Sequence, residues 1–395
     1  MTDVLSRRGL NRATLARQLL LDRMPVRAID AIEHLGGMQA QAPLAPYVGL
    51  WTRLRDFAPD ELSALTEQRQ VVRLHVMRNT VHLLSARDAL DWRGLFSQLH
   101  AAHFDAHFRR GLDGVDRDAL VELARRLLDE RPRTRSELGR LLADRWPDAE
   151  PSALAYAATH LIALCQVPPR GVWGKQGPAA WAPVETWLGA PLRPHPANAQ
   201  APVDAPAPAD GRALADGRAS VDGRALADGR ASVDGLVLRY LGAFGPASVA
   251  DAQLWSGLTR LGEVVDRLPL RSFRGPDGQV LFDLPDAPRP AEDTPAPPRF
   301  LPEYDNLLLS HKDRTRVILD GRAVPLPPGS GATTGTFLID GVWRGTWQSR
   351  GGTLRIEPFT ELRATDSDAL LAEAERLSAF LDRPQVELMR AARSG

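Results

Sequence analysis

Helical stretches give way to short strand–turn–strand hairpins again and again along this chain, and that recurrence limits its fold more than any other feature. Apolar spacing predicts helices over residues 9–24, 26–36 and 60–70, the last with Pro59 before it and Glu61 in its first turn. Two strand-like runs follow, residues 71–76 (VVRLHV) and 80–84 (TVHLL), joined by Met77-Arg78-Asn79. A second helical set runs from 115 to 165 and breaks at Pro132, after which Thr134 and Glu137 have capping-box spacing. The Gly-rich segment 171–182 then reads as a wing with Lys175 and Gln176 at its tip. A third set is a helix-turn-helix over 235–258, broken at Gly245-Pro246 with Ser248 as N-cap, followed by a hairpin over 268–284. Helices followed by a small hairpin make the winged-helix pattern.

Past a proline-rich loop, the run 335–347 (GTFLIDGVWRGTW) predicts a hairpin turning at Asp340-Gly341, followed by a strand over 354–358 and a helix over 367–381. The expected fold class is therefore α+β, with tandem winged-helix modules ahead of a β-rich α+β region. The expected boundaries are 1–105, 106–195 and 235–290 for the modules and 291–395 for the last region. Residues 196–234 are expected to be a flexible linker. There DGRALADGRASV, Asp210–Val221, repeats without change as Asp222–Val233, a period too short for a solenoid unit.

Composition narrows the function. One cysteine, Cys165, permits no internal disulfide, which suits a reducing cytoplasm. No segment approaches a membrane span. Basic and acidic residues, 49 of each, cancel; that balance is unusual for a DNA binder, although a local basic surface suffices. Lys175 and Lys312 are the only lysines, so a Schiff-base mechanism has few candidates and water is the expected nucleophile. No metal or other cofactor is expected. His75 and His82 lack partners at a ligand spacing, and His100, His103 and His107 share a helical face without a cysteine or an HExxH glutamate.

The chemistry-bearing stretch is Leu35–Leu50, LGGMQAQAPLAPYVGL. Gln39 and Gln41 stand two apart, so an extended or turn-like backbone points both amides to one side. Gly36 and Gly37 permit a tight turn, and Pro43 and Pro46 argue against a regular helix here. Read alone, the two glutamines are surface amides in a loop between helices. Their company differs: LNRATLARQLLLDR upstream, MRNTVHLLSARD downstream and FLPEYDNLLLSHKDRTRVI near the C-terminus. In order and spacing these resemble the winged-helix DNA glycosylases of the AlkZ and YcaQ type, over nearly the whole chain outside the repeat.

That resemblance implies that Gln39-Ala40-Gln41 is the Gln-aliphatic-Gln catalytic motif of the AlkZ branch, Ala40 being smaller than the usual middle residue. It also implies a DNA-facing cleft near Arg78 and Thr80, which makes Arg78 a phosphate-contact candidate. Lys175 and Gln176 at the wing tip are phosphate-contact candidates or a solvated loop. Tyr304 is a base-stacking candidate and Asn306 a donor to a base, unless Asp305 and Asn306 only lock a turn; Arg314 follows them. The family's DNA-probing hairpin is either 335–347, with Trp343 and Arg344 after its turn, or the 171–182 wing. The expected partner is double-stranded DNA carrying alkylated purines, met by a monomer. The expected activity is monofunctional glycosylase action on 7-alkylguanine-type lesions, extending to bulky adducts and interstrand crosslinks. A non-catalytic winged-helix regulator is the alternative, because helix-turn-helix signals favour both equally.

Overall fold

Six short strands from the N-terminal half zip into a single sheet: β1 (Met38–Gln39), β2 (Val71–His75), β3 (Val81–Ser85), β4 (Arg133–Thr134), β5 (Leu164–Val167) and β6 (Ala180–Pro183). This computed structural model describes residues 3–107, 111–195, 231–324 and 334–391. The strand order is β1-β3-β2-β5-β6-β4. The hairpin around Met77–Asn79 and the wing strands β5 and β6 are thus hydrogen-bonded neighbours, joined where Arg73 and Leu74 pair with Gln166 and Cys165.

Residues of β2 and β3 are buried on both faces. Val72, Leu74 and Leu84 enter one core with the Val233–Phe244 and Val249–Ser256 helices. Val71, Val81 and Leu83 enter another with the Ala28–His34 and Ala45–Trp51 helices. A sheet covered on both faces needs no polar side, which is why VVRLHV reads as a near-continuous apolar run.

Local signals act as expected at the helix ends. The Ser85 hydroxyl accepts the Asp88 N–H at 3.1 Å. Thr134 with Glu137, and Ser248 with Asp251, form complete capping boxes. Three helical expectations change. The first helix ends at Arg17, not residue 24. The helix expected to reach Cys165 stops at Leu161, since Ile162 is extended and Cys165 lies in β5. A helix does form over Ala45–Trp51 despite Pro46, because that proline sits in the first turn, where its missing N–H has no helical acceptor to lose.

The C-terminal region is a five-stranded sheet, built from β9 (Arg299–Leu301), β10 (Thr334–Ile339), β11 (Val342–Arg350), β12 (Thr353–Pro358) and β13 (Gln385–Leu388) in the order β13-β12-β11-β10-β9. A 3-10 turn spans Asn306–Leu308, and β9 precedes it. The 268–284 hairpin forms, with strands β7 (Arg271–Arg274) and β8 (Val280–Asp283). The first helix is clamped to it by a fully buried pair, Arg17 to Asp283, at 2.6 and 2.8 Å. Of the expected linker 196–234, residues up to 230 lie outside those described; from Ser232, which caps Gly235 N–H at 3.0 Å, the chain is already helical. Among the described residues no helix is long and apolar enough to cross a membrane, and no group of three or more His, Cys, Asp or Glu is arranged to hold a metal ion.

His100, His103 and His107 are not simply a polar helix face. His103 stacks on His160 at 5.4 Å, His160 on His75 at 5.8 Å, and His75 on Trp181 at 5.3 Å, with buried His100 edge-on to His75. Burial, then neighbouring cations, holds His75 and His100 well below the ordinary imidazole value of 6.5, and His82 is pushed down to about 3 by burial and then Arg78. The folded protein keeps these rings neutral, so the unfolded chain takes up protons first as pH falls below that value. Stability is therefore complete above the ordinary value and declines below it. By about pH 5.5, a unit below the ordinary value, each of the three costs on the order of 1 kcal/mol. Denaturant titrations at about pH 7.5 and 5.5 should show this loss; equal midpoints would contradict it.

Candidate active site

The glutamine motif is built onto the edge of the first sheet. Gly36 and Gly37 both adopt left-handed backbone, and a Cβ on Gly37 would lie 2.3 Å from Leu84 Cδ2. Only glycine lets the chain turn that tightly into β1. There Met38 pairs with Leu83, Gln39 pairs with His82, and the Ala40 N–H donates to Val81 O at 2.8 Å. From the far side, buried Arg73 donates to Ala40 O at 2.7 Å. The motif is thus pinned at the backbone between β3 and β2, and both glutamine side chains are free to be positioned separately.

What orients them is donor chemistry. Arg78 Nη2 donates to Gln39 Oε1 at 2.8 Å and to Asn306 Oδ1 at 3.0 Å, while its Nη1 donates to Trp255 O at 2.7 Å. Arginine has no acceptor, so both amides must turn their oxygens toward it and their NH2 groups away. Gln41 Oε1 accepts the Val81 N–H at 3.3 Å, another donor-only partner. Both motif glutamines therefore commit one carbonyl lone pair to the protein and keep their N–H bonds uncommitted.

Arg78 reaches this position from a strained turn. Arg78 and Asn79 both have φ of 54°, a conformation costing about 1–3 kcal/mol each and concentrated at functional sites. The turn does not project as a free wing; it docks against Gly257, whose Cβ would lie 3.1 Å from Arg78 N. Arg78 is therefore a brace holding three carbonyl oxygens, and the expectation of a phosphate-contacting side chain is corrected. Thr80 faces inward too, its hydroxyl donating to Met77 O at 3.1 Å.

Asn306 is brought in by its own clamp. Arg53 grips Asp305 with both terminal nitrogens at 2.9 Å and also donates to Gln18 O and Gly49 O. Asp305 Oδ1 in turn accepts the Leu307 N–H at 2.9 Å. Gln18, Gly37, Met38, Gln39, Arg53, Asp305 and Asn306 line a crevice of about 20 Å3. That holds about one water and is far too small for a purine.

Burial and then Arg314 lower Arg78 to about 10, and burial and then Arg170 lower Arg73 to about 9, so both stay charged at neutral pH. Neither these two nor Arg314 has an ion pair among the described residues, whereas many other arginines do. The cancelled net charge thus coexists with an uncompensated positive field at the motif.

The other expected residues divide. Tyr304 is half-buried in left-handed backbone, and Arg314 is half-buried with Nε donating to His311 O at 3.3 Å. Lys175 and Gln176 are exposed, Lys175 pairing with Glu67 at 2.6 Å, a contact weak enough to exchange. Trp343 is a correction: it is buried beside Leu15 and Leu20, its indole N–H donates to Gly345 O at 2.8 Å, and it cannot stack on a base. Arg344 is exposed, but the Asp340-Gly341 turn before it is tied to the first helix by Arg8 and Arg12. That end of the 335–347 hairpin is therefore not a free probe. Sequence reading missed Arg73 and Arg53; the only sign was a lone arginine inside an apolar run.

Comparison with known proteins bears on the family and the fold. The family described as "DNA glycosylase AlkZ-like" matches residues 32–380. No curated protein sequence matches. Among solved structures, the Streptomyces sahachiroi DNA glycosylase AlkZ superposes with a TM-score of 0.68 at 18% identity, covering 98% of this chain and 100% of that one. At that identity the superposition speaks to the fold. Since the family match spans most of the chain, the chain belongs to the AlkZ-like DNA glycosylase family.

Proposed function

We propose that this protein is a monofunctional DNA glycosylase for purines alkylated on a ring nitrogen, of the 7-alkylguanine type, with Gln39 and Gln41 as its catalytic residues. The observation that carries this reading is the pair of amides whose oxygens are held by donor-only partners, with Gln39 in the wall of a crevice of single-water size.

A 7-alkylguanine in DNA is already cationic. When N9–C1′ breaks, the electron pair goes to the base, which leaves neutral without needing a proton. Positive charge moves to the sugar, the oxygen of water bonds to C1′, and the water proton leaves to solvent. Glutamine is no base at neutral pH, so neither residue removes that proton. Each carbonyl keeps a second lone pair, enough to orient a water, and each NH2 can hold a sugar or phosphate oxygen. Such a site suits a labile bond and gives a neutral base such as uracil no leaving-group assistance. A crevice too small for a purine also favours lesions handled without a deep base pocket, which extends the reading to bulky adducts and interstrand crosslinks.

The test is base release from duplexes carrying a single 7-methylguanine or a single uracil, read by heat or alkali cleavage at the abasic product. Release of 7-methylguanine well above the spontaneous rate with no uracil release is expected. Equal action on uracil, or none on 7-methylguanine, rejects the proposal. A crosslinked duplex in the same assay reads the extension to crosslinks separately.

A further inference from the structure

Asn306 is buried, 6% exposed, in the Asn306–Leu308 turn. Its Oδ1 is held by Arg78 at 3.0 Å. Its Nδ2, turned the other way, has no hydrogen-bond partner and the residue lines the crevice beside Gln39. A buried amide N–H left unmade is costly, and a folded protein tolerates it where a ligand completes the bond. Gln39 lines the same crevice with its Oε1 also held by Arg78, which leaves its NH2 uncommitted.

The donors have a common character. Asp305 is the carboxylate in the crevice wall, and Arg53 with Leu307 N–H occupies its oxygens. What remains is N–H bonds in the uncompensated field of Arg78 and Arg314. A cationic purine is repelled by that field, and a sugar hydroxyl makes no use of it. An anionic oxygen satisfies both the donors and the charge.

We propose that Asn306, together with Gln39, binds a non-bridging oxygen of the phosphodiester next to the target nucleotide, and that Arg78 is the positioning residue that turns both amides toward it. The proposal rests on the glycosylase reading above and names the part of the substrate that the site grips. A phosphate held there also sets a negative charge close to the sugar as the sugar becomes positive, which favours the transition state over the ground state.

The experiment uses duplexes with one 7-methylguanine and a single neutral methylphosphonate on its 5′ or its 3′ side. Single-turnover release and duplex affinity are both measured, for the full-length wild-type protein and for Asn306→Ala. At one of the two positions the neutral linkage is expected to slow wild-type release by about 10- to 100-fold, the value of one hydrogen bond to a charged group. Asn306→Ala on ordinary DNA should lose about as much, and the two changes together little more than either alone. A merely structural role for Asn306 gives multiplying losses and overturns the proposal, as does a methylphosphonate without effect at both positions. Asn306→Ser serves if the alanine variant melts early, and the methylphosphonate arm on wild-type protein needs no variant. If wild-type protein releases no base, the glycosylase reading falls; equal, non-multiplying affinity losses would still uphold the phosphate contact, and multiplying ones would reject it.

Discussion

Replacing Gln39 and Gln41 together by alanine is expected to slow 7-methylguanine release by at least about 1000-fold, while duplex affinity stays within about threefold. Removing one preorganised group that acts on the transition state typically costs about 100- to 1000-fold. Two groups serving one event are not additive, so each single variant should already show most of the loss. Affinity should largely survive because phosphate contacts supply most of it and Gln39 shares in only one of them. Neither glutamine holds the fold: the backbone of Met38–Ala40 is bonded to β3 and Arg73 regardless of these side chains. Single-turnover rates at saturating protein, with gel-shift affinities beside them, check both halves.

Arg53→Met should have the largest effect on stability, a loss of about 3–5 kcal/mol, because it strands Asp305 as a buried unpaired charge. Arg53 and Asp305 are both nearly fully buried, and the arginine also ties Gln18 and Gly49 to the Asn306 turn. Activity should fall with stability, since the turn carrying Asn306 loses its anchor. Removing both charges in Arg53→Met, Asp305→Leu should restore a part of the stability without restoring base release. Urea denaturation of the single and double variants decides this; a single variant as stable as wild type would refute the clamp.

How far the sequence went is visible in these same residues. Hairpins and caps were legible, because Ser85, Thr134, Ser248 and Asp340-Gly341 act on neighbours a few residues away. The turn that leads into Gln39-Ala40-Gln41 was legible in Gly36 and Gly37. The β2–β5 pairing that merges two hairpins into one sheet was not, since nothing within either hairpin encodes its outer neighbour. Arg53 meets Asp305 252 residues away, and Arg78 meets Asn306 228 away; no local period carries such pairs. Trp343 misled for a related reason. A tryptophan beside a tight turn looks the same whether it faces solvent or, as here, packs on the first helix. The parallel strand β13 was missed because it follows a helix as a four-residue run with no turn signal of its own.

The most direct test of the site chemistry is Gln39→Glu, which keeps the shape and an oxygen for Arg78 but replaces the uncommitted NH2 by an anionic oxygen, so that the donors are lost and a negative charge stands in their place. Its single-turnover release of 7-methylguanine, measured at about neutral pH and matched to wild type in DNA occupancy, should fall as far as that of Gln39→Ala. Release at or above the wild-type rate would mean that a carboxylate serves there as well as an amide, and would contradict the donor role assigned to Gln39.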